Sequence, residues 1–222
     1  MKTISMQNTK RNLTALATIA GLALGSSAQA ASIVWTQGTI TGDSIVDTTG
    51  TLMEAANFGD NTVTSPTINA VTFTGVDFGS SPTLSNLSGL GYDGGNNGTW
   101  SSTGETIDQL ANTLARESGV GSQSATLTGL TDGAEYLVQF FIDHSTDTTM
   151  DINDGLGNTV TLNTLGEYAT GTFTADGATQ ALNFSIGVGS QKLSGYQLRA
   201  VPEPSAAALI GLSALGLLRR RR

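Results

Sequence analysis

An antiparallel β-sandwich of the jelly-roll type is the all-β fold that residues 31–201 predict. Three observations lead there. Short runs rich in Val, Ile, Phe, Tyr and Thr recur along the segment, Asp-Gly and Gly-rich turns separate them, and a single stretch has helical spacing.

Taken in order, the first strand runs from Ile33 to Thr36 and the next from Ala70 to Thr74. Ile107, Leu110, Ala111 and Leu114 then share one helical face, and Thr106 with Gln109 has capping-box spacing; Gly119 and Gly121 keep this helix short. A strand from Ala125 to Thr128 follows. Tyr136 to Asp143 is a nearly continuous apolar run, the pattern of a central strand buried on both faces. Thr149 to Ile152 and Thr159 to Leu162 form a hairpin about the turn Asn153 to Asn158, and Gly171 to Ala175 is a further strand. Leu182, Phe184 and Ile186 alternate with Asn183 and Ser185, and Tyr196, Leu198 and Ala200 alternate with Gln197 and Arg199, as strands with one wet face do. Asp132-Gly133, Asp154-Gly155, Asp176-Gly177 and the cluster from Gly91 to Gly98 supply the turns. No internal repeat is visible.

Both ends lie outside this domain. Residues 1–30 have the form of a signal peptide: Lys2, Lys10 and Arg11 are basic, Leu13 to Leu24 are apolar, and Ala28 and Ala30 place small residues for signal peptidase, which is expected to cut after Ala30, or alternatively after Ala28. The apolar stretch is 12 residues long, short of the roughly 20 that span a bilayer.

Residues 202–222 read as a second delivery signal. Pro202-Glu203-Pro204 can continue neither a helix nor a central strand and is an extended, accessible linker. Ala206 to Leu218 is apolar; as a helix it reaches about 20 Å at 1.5 Å per residue, against a hydrocarbon core of about 30 Å. Arg219, Arg220, Arg221 and Arg222 extend the usable length by snorkelling and hold this terminus on the cytoplasmic side. Triplet, short transmembrane helix and terminal basic cluster, in that order, resemble the PEP-CTERM sorting signal. The resemblance implies that an exosortase recognises the triplet and passes the protein from the inner membrane, where it is held transiently, to the cell surface or the extracellular space, often alongside exopolysaccharide production. The phrases LTGLTDGAEYLVQFF, GTFTADGATQALNFSI, LSGYQLRAVPEP and TGDSIVDTTGTLMEAANFG also resemble uncharacterised β-sandwich domains of PEP-CTERM proteins.

Composition narrows the function classes. Between Ala31 and Val201 the basic residues are Arg116, Lys192 and Arg199 against 17 acidic ones, a net charge of −14 that the whole-chain value of −8 conceals. Such a surface repels nucleic acid and favours solubility outside the cell. The chain has no cysteine, which excludes disulfides and thiolate metal sites.

No stretch spells out a catalytic site. Asp143, Asp147, Asp151 and Asp154 could give oxygen ligands to a structural calcium, but counting from Asp151 puts Gly155 where an EF-hand needs its third oxygen ligand, so the hairpin turn is the expected use of these residues. His144 is the one histidine, and Asp143-His144-Ser145 cannot form a relay because neighbouring strand residues point to opposite faces. The segment from Gly187 to Lys192 lacks phosphate-loop spacing. Trp100 follows the glycine-rich loop with Tyr92 nearby; burial of the ring to anchor the loop is its expected use, and stacking on a glycan, with Trp100 and Tyr92 as the contacts, is the alternative. The expectation is an exported protein without catalytic activity, cofactor or resident metal, probing no partner beyond signal peptidase, exosortase and extracellular polysaccharide. The alternatives are a carbohydrate-binding jelly-roll module and, after it, a glycan-active hydrolase.

Overall fold

A computed structural model describes residues 31–202 except 61–62, 79–82, 93, 98–102, 112, 118–120, 143–148, 164–165 and 189–190. The signal peptide, Glu203, Pro204 and the C-terminal apolar and arginine segments lie outside the described residues, as do Trp100, Asp143, His144 and Asp147. Among the described residues no helix is long and apolar enough to cross a membrane.

The elements are β1 (Val34–Thr39), β2 (Thr51–Gly59), β3 (Thr67–Ile68), β4 (Val71–Thr72), β5 (Thr74–Asp77), β6 (Leu87–Ser88), β7 (Gly94–Asn97), α1 (Ile107–Ala111), β8 (Thr113–Glu117), β9 (Ser122–Thr128), β10 (Glu135–Ile142), β11 (Thr149–Asn153), β12 (Thr159–Leu162), β13 (Glu167–Thr174), β14 (Thr179–Val188), β15 (Gln191–Leu193) and β16 (Gly195–Val201). A six-stranded sheet has the order β1-β13-β10-β16-β2-β5 and a five-stranded sheet the order β12-β11-β14-β9-β6. All pairs are antiparallel except β2 with β5.

The pairing is nested around one hairpin. β11 pairs β12, β10 pairs β13, β9 pairs β14 and β2 pairs β16, with alternate pairs assigned to opposite sheets. A long hairpin folded over on itself gives this arrangement, which is the jelly roll. The three Asp-Gly pairs fall where expected, between β9 and β10, β11 and β12, and β13 and β14. The segment between β2 and β9 departs from the roll: it adds β5 and β6 to the two sheets, the β3-β4 hairpin, and the strands β7 and β8, which β15 joins in a three-stranded sheet.

Packing explains the apolar run of β10. Tyr136, Val138, Phe140 and Ile142 face the second sheet, in one cluster with Ala125, Leu127, Leu182 and Phe184. Phe141, from the other face, joins Ile40, Val46, Ile68, Val71, Phe73, Ile107 and Leu110 in a second cluster beneath the inserted segment. Both faces of the strand are therefore covered. Leu52-Met53-Glu54-Ala55-Ala56 in β2 are good helix formers by local preference. β2 is a strand because it lies between two partners, β16 and β5, and splits Ala55 and Ala56 between the two clusters. Tertiary pairing overrides local preference here.

The helix is a single turn. Leu114 belongs to β8 instead, so the helical face predicted through it ends at Ala111. The Ile107 N–H donates to Asp43 Oδ1 at 2.7 Å, a partner from a distant loop, and Asp108 accepts from Thr103 Oγ1 at 2.7 Å and from the Gly104 N–H at 2.8 Å.

Candidate functional site

Three places gather polar chemistry. The first is the turn between β11 and β12. Asp154 is buried, and its Oδ1 accepts the N–H groups of Leu156 (2.8 Å) and Asn158 (3.1 Å), while Oδ2 accepts the Ile33 N–H (3.0 Å) and Asn158 Nδ2 (2.6 Å). Burial pushes this carboxyl up, but the four donors outweigh it and hold its pKa below the ordinary value. Asp151 Oδ1 accepts the Thr161 hydroxyl at 2.6 Å. The two candidate calcium ligands that are described thus serve the hairpin, and among the described residues no group of three or more His, Asp or Glu is placed to hold a metal.

The second is the seam between β16, β2 and the residues before β6. Glu54 accepts the N–H groups of Ser85 (2.7 Å) and Asn86 (2.8 Å) and a short hydrogen bond from the Tyr196 hydroxyl. Burial, then the bond to Glu54 and its charge, push the Tyr196 phenol far above its ordinary value, so it stays a donor.

The third is a groove of about 540 Å³ on the outer face of the six-stranded sheet, lined among others by Thr36, Asp47, Asn69, Gln139, Tyr168 and Thr170. Beneath it runs a buried polar ladder: Gln139 Oε1 accepts from Gln197 Nε2 (2.5 Å) and the Asp47 N–H (2.9 Å), and Gln139 Nε2 donates to Thr170 Oγ1 (2.9 Å). Arg199 donates to the carbonyls of Thr48 (3.0 Å), Thr49 (2.7 Å) and Gly50 (3.0 Å) and so ties down the loop that forms the rim. Burial lowers its pKa, opposed by the charge of Asp47. The half-buried Tyr168 ring lies over its cross-strand partner Gly38, where an added Cβ would sit 2.5 Å from the ring. On the other face Trp35 covers Gly171 in the same way, at 2.6 Å. Glycine is needed at both positions for the rings to lie on the sheet.

Sequence reasoning missed this groove, although the alternation of Tyr168 and Thr170 on β13 was a readable signal. It placed Tyr92 at a glycan surface, and the structure corrects this: Tyr92 is buried, edge-on to Phe78 with centroids 5.4 Å apart, and belongs to the main core. A large ring beside a glycine-rich loop gains more from packing than from standing in water.

At the C-terminal end β16 is a central strand. Val201 pairs with Glu135, Ala200 with both Tyr136 and Thr51, and the exposed Pro202 follows directly. The family model of the PEP-CTERM protein-sorting motif matches residues 200–222. The chain carries a PEP-CTERM sorting signal. The match begins two residues inside β16, so the signal and the folded domain adjoin without a spacer. A PEP-CTERM signal marks an exported protein processed by an exosortase.

A comparison with curated proteins gave no match. Among solved structures, Bacteroides uniformis β-glucuronidase 2 covalently bound to cyclophellitol-6-carboxylate aziridine aligns at TM-score 0.50 and 15% identity, covering 67% of this chain and 18% of that one. A crystal structure of Bacteroides uniformis β-glucuronidase aligns at TM-score 0.50 and 14% identity with the same coverage of 67% and 18%. A CBM22-1 xylan-binding domain from Paenibacillus barcinonensis aligns at TM-score 0.34 and 10% identity, over 71% of this chain and 99% of that one. This chain therefore spans less than a fifth of the glucuronidase chains, and at such identity the likeness is one of fold alone.

Proposed function

We propose that this is a non-catalytic β-sandwich protein delivered to the cell surface or the extracellular matrix, in association with exopolysaccharide. In this reading signal peptidase removes residues 1–30, the run from Ala206 to Leu218 holds the precursor in the inner membrane, and Arg219 to Arg222 keep its end in the cytoplasm. Exosortase then acts near Pro202-Glu203-Pro204. The observation that carries the reading is the sorting motif beginning at the last strand of a closed jelly roll. Replacing all four terminal arginines by glutamate is expected to cut the processed fraction about tenfold, since it removes the basic cluster that holds the terminus in the cytoplasm. Mass spectrometry of the C-terminus in membrane and medium fractions measures this; an unchanged processed fraction sinks the scheme.

The groove over β13 favours a second reading as a module for neutral polysaccharide. Hydroxyl and amide groups surround the Tyr168 ring, and the acidic domain offers little to a polyanion. Tyr168→Ala is expected to weaken retardation in neutral-polysaccharide affinity gels about fivefold while melting remains cooperative. Equal retardation of the variant and the wild type removes this reading and leaves the delivery scheme standing.

A further inference from the structure

β1 stands at the edge of the six-stranded sheet, paired with β13 alone among the described strands. The Ile40 N–H donates to the Gly166 carbonyl at 2.6 Å, one step beyond the pair of Thr39 with Glu167. Antiparallel bonding alternates, so Val34, Thr36 and Gly38 turn their backbone groups to β13, while Trp35, Gln37 and Thr39 turn theirs outward. Asp154 Oδ2 caps the outward N–H of Ile33 at 3.0 Å. Among the described residues nothing takes the outward groups of the other three.

The remaining edges of the two main sheets are short or covered. β6 has two residues and β12 four. On β5 the Gly75 N–H donates to Ser65 Oγ at 2.9 Å, and an added Cβ there would lie 2.5 Å from the Val63 carbonyl oxygen. β1 holds six residues in unbroken register, without the lysine, proline or bulge that keeps an edge from pairing. Neither it nor the neighbouring β12 carries a charge. Two copies of so acidic a domain repel each other, and they approach at least cost along an uncharged edge.

We propose that β1 pairs with β1 of a second copy, antiparallel about a twofold axis at Gln37, joining the two six-stranded sheets into one. Gln37 then faces the partner's Gln37, Trp35 faces the partner's Thr39, and each such pair exchanges two backbone bonds. An axis at Thr36 would set the partner's Thr39 against Ile33, whose N–H Asp154 already holds. One at Gly38 would set Trp35 against the partner's Thr41, beyond the strand. The axis at Gln37 stands perpendicular to the sheet, so both outer faces lie on one side. Thr36 comes opposite the partner's Gly38, the residue under the Tyr168 ring, and the two grooves adjoin. The pairing holds whatever the grooves bind.

The chain has no cysteine, so one introduced thiol reports one position. The full chain in detergent, carrying Gln37→Cys or Val34→Cys, is treated with a short bis-maleimide. Across the axis the two copies of residue 37 lie about 5.5 Å apart, and those of residue 34 about 20 Å apart at about 3.4 Å per residue. Val34 is 67% exposed, so random collision favours it. Cross-linking at residue 37 is expected to exceed that at residue 34 about tenfold, and equal or reversed yields overturn the proposal. Gln37→Pro removes one outward N–H and spares the bonds to β13. Sedimentation velocity is expected to show a dimer for the wild type and a monomer for this variant, with cooperative melting in both. Should proline unfold the domain, Gln37→Lys replaces it and sets like charges face to face on the axis. A monomeric wild type, or a dimer that the folded variant keeps, overturns the proposal.

Discussion

Phe140→Ala is expected to lower the unfolding free energy by about 4 kcal/mol, within the range for emptying a buried aromatic site. The side chain is fully buried at the middle of β10. It packs edge-on against Phe184 of the opposite sheet with centroids 5.3 Å apart, lies stacked with Tyr196 at 6.0 Å, and is tilted against Trp35 at 6.4 Å. These neighbours come from β14, β16 and β1, so the ring joins strands from distant parts of the chain. None can move into the space freely: Trp35 is seated on Gly171, and the Tyr196 hydroxyl is fixed by Glu54. A cavity therefore persists, and its cost adds to the lost transfer energy. Urea unfolding monitored by tryptophan fluorescence and far-ultraviolet dichroism measures the change. A loss under about 1.5 kcal/mol at an unchanged denaturant slope means that the site collapses, and that Phe140 is not the keystone of the two-sheet contact.

The same residues show what is readable in one dimension. The β10 run announces burial on both faces, and the alternation of Leu182, Phe184 and Ile186 announces a strand with one face inward. The hairpin at Asp154-Gly155 follows from turn chemistry, and the sorting signal is legible because its parts are contiguous. What stays hidden depends on distant partners. β2 pairs with β16 more than 130 residues away, as Ala56 does with Tyr196, and only that pairing turns a helix-forming string into a strand. The groove is equally hidden, since Asp47, Gln139 and Tyr168 meet only after the roll has closed. Tyr92 shows the reverse error: its sequence neighbours are glycines and polar residues, but its spatial neighbour is Phe78.

Asp154→Ala is expected to destabilise the protein by about 3 kcal/mol, because it strips the acceptor from three backbone N–H groups and one side-chain amide in a buried turn. The loss is expected to be local as well as global. Ile33 loses its acceptor, so its amide should exchange faster with solvent than amides in the middle of β10. The carboxylate also makes a signed prediction about pH. Its folded-state pKa lies below the ordinary value, so as pH falls the unfolded chain takes up this proton before the folded one does. The contribution of Asp154 is therefore complete above about pH 4 and fades as pH drops through the folded-state value. Asp154→Asn cannot titrate and presents an amide N–H₂ to groups that are themselves donors, so it should be less stable than wild type at pH 6 and close part of that gap by pH 3. Melting temperatures of the two proteins across that range decide the matter. A gap that stays constant with pH means that Asp154 is not the carboxylate whose deprotonation holds the turn, and a melting temperature unaltered in Asp154→Ala means that the bonds Asp154 accepts add nothing to stability.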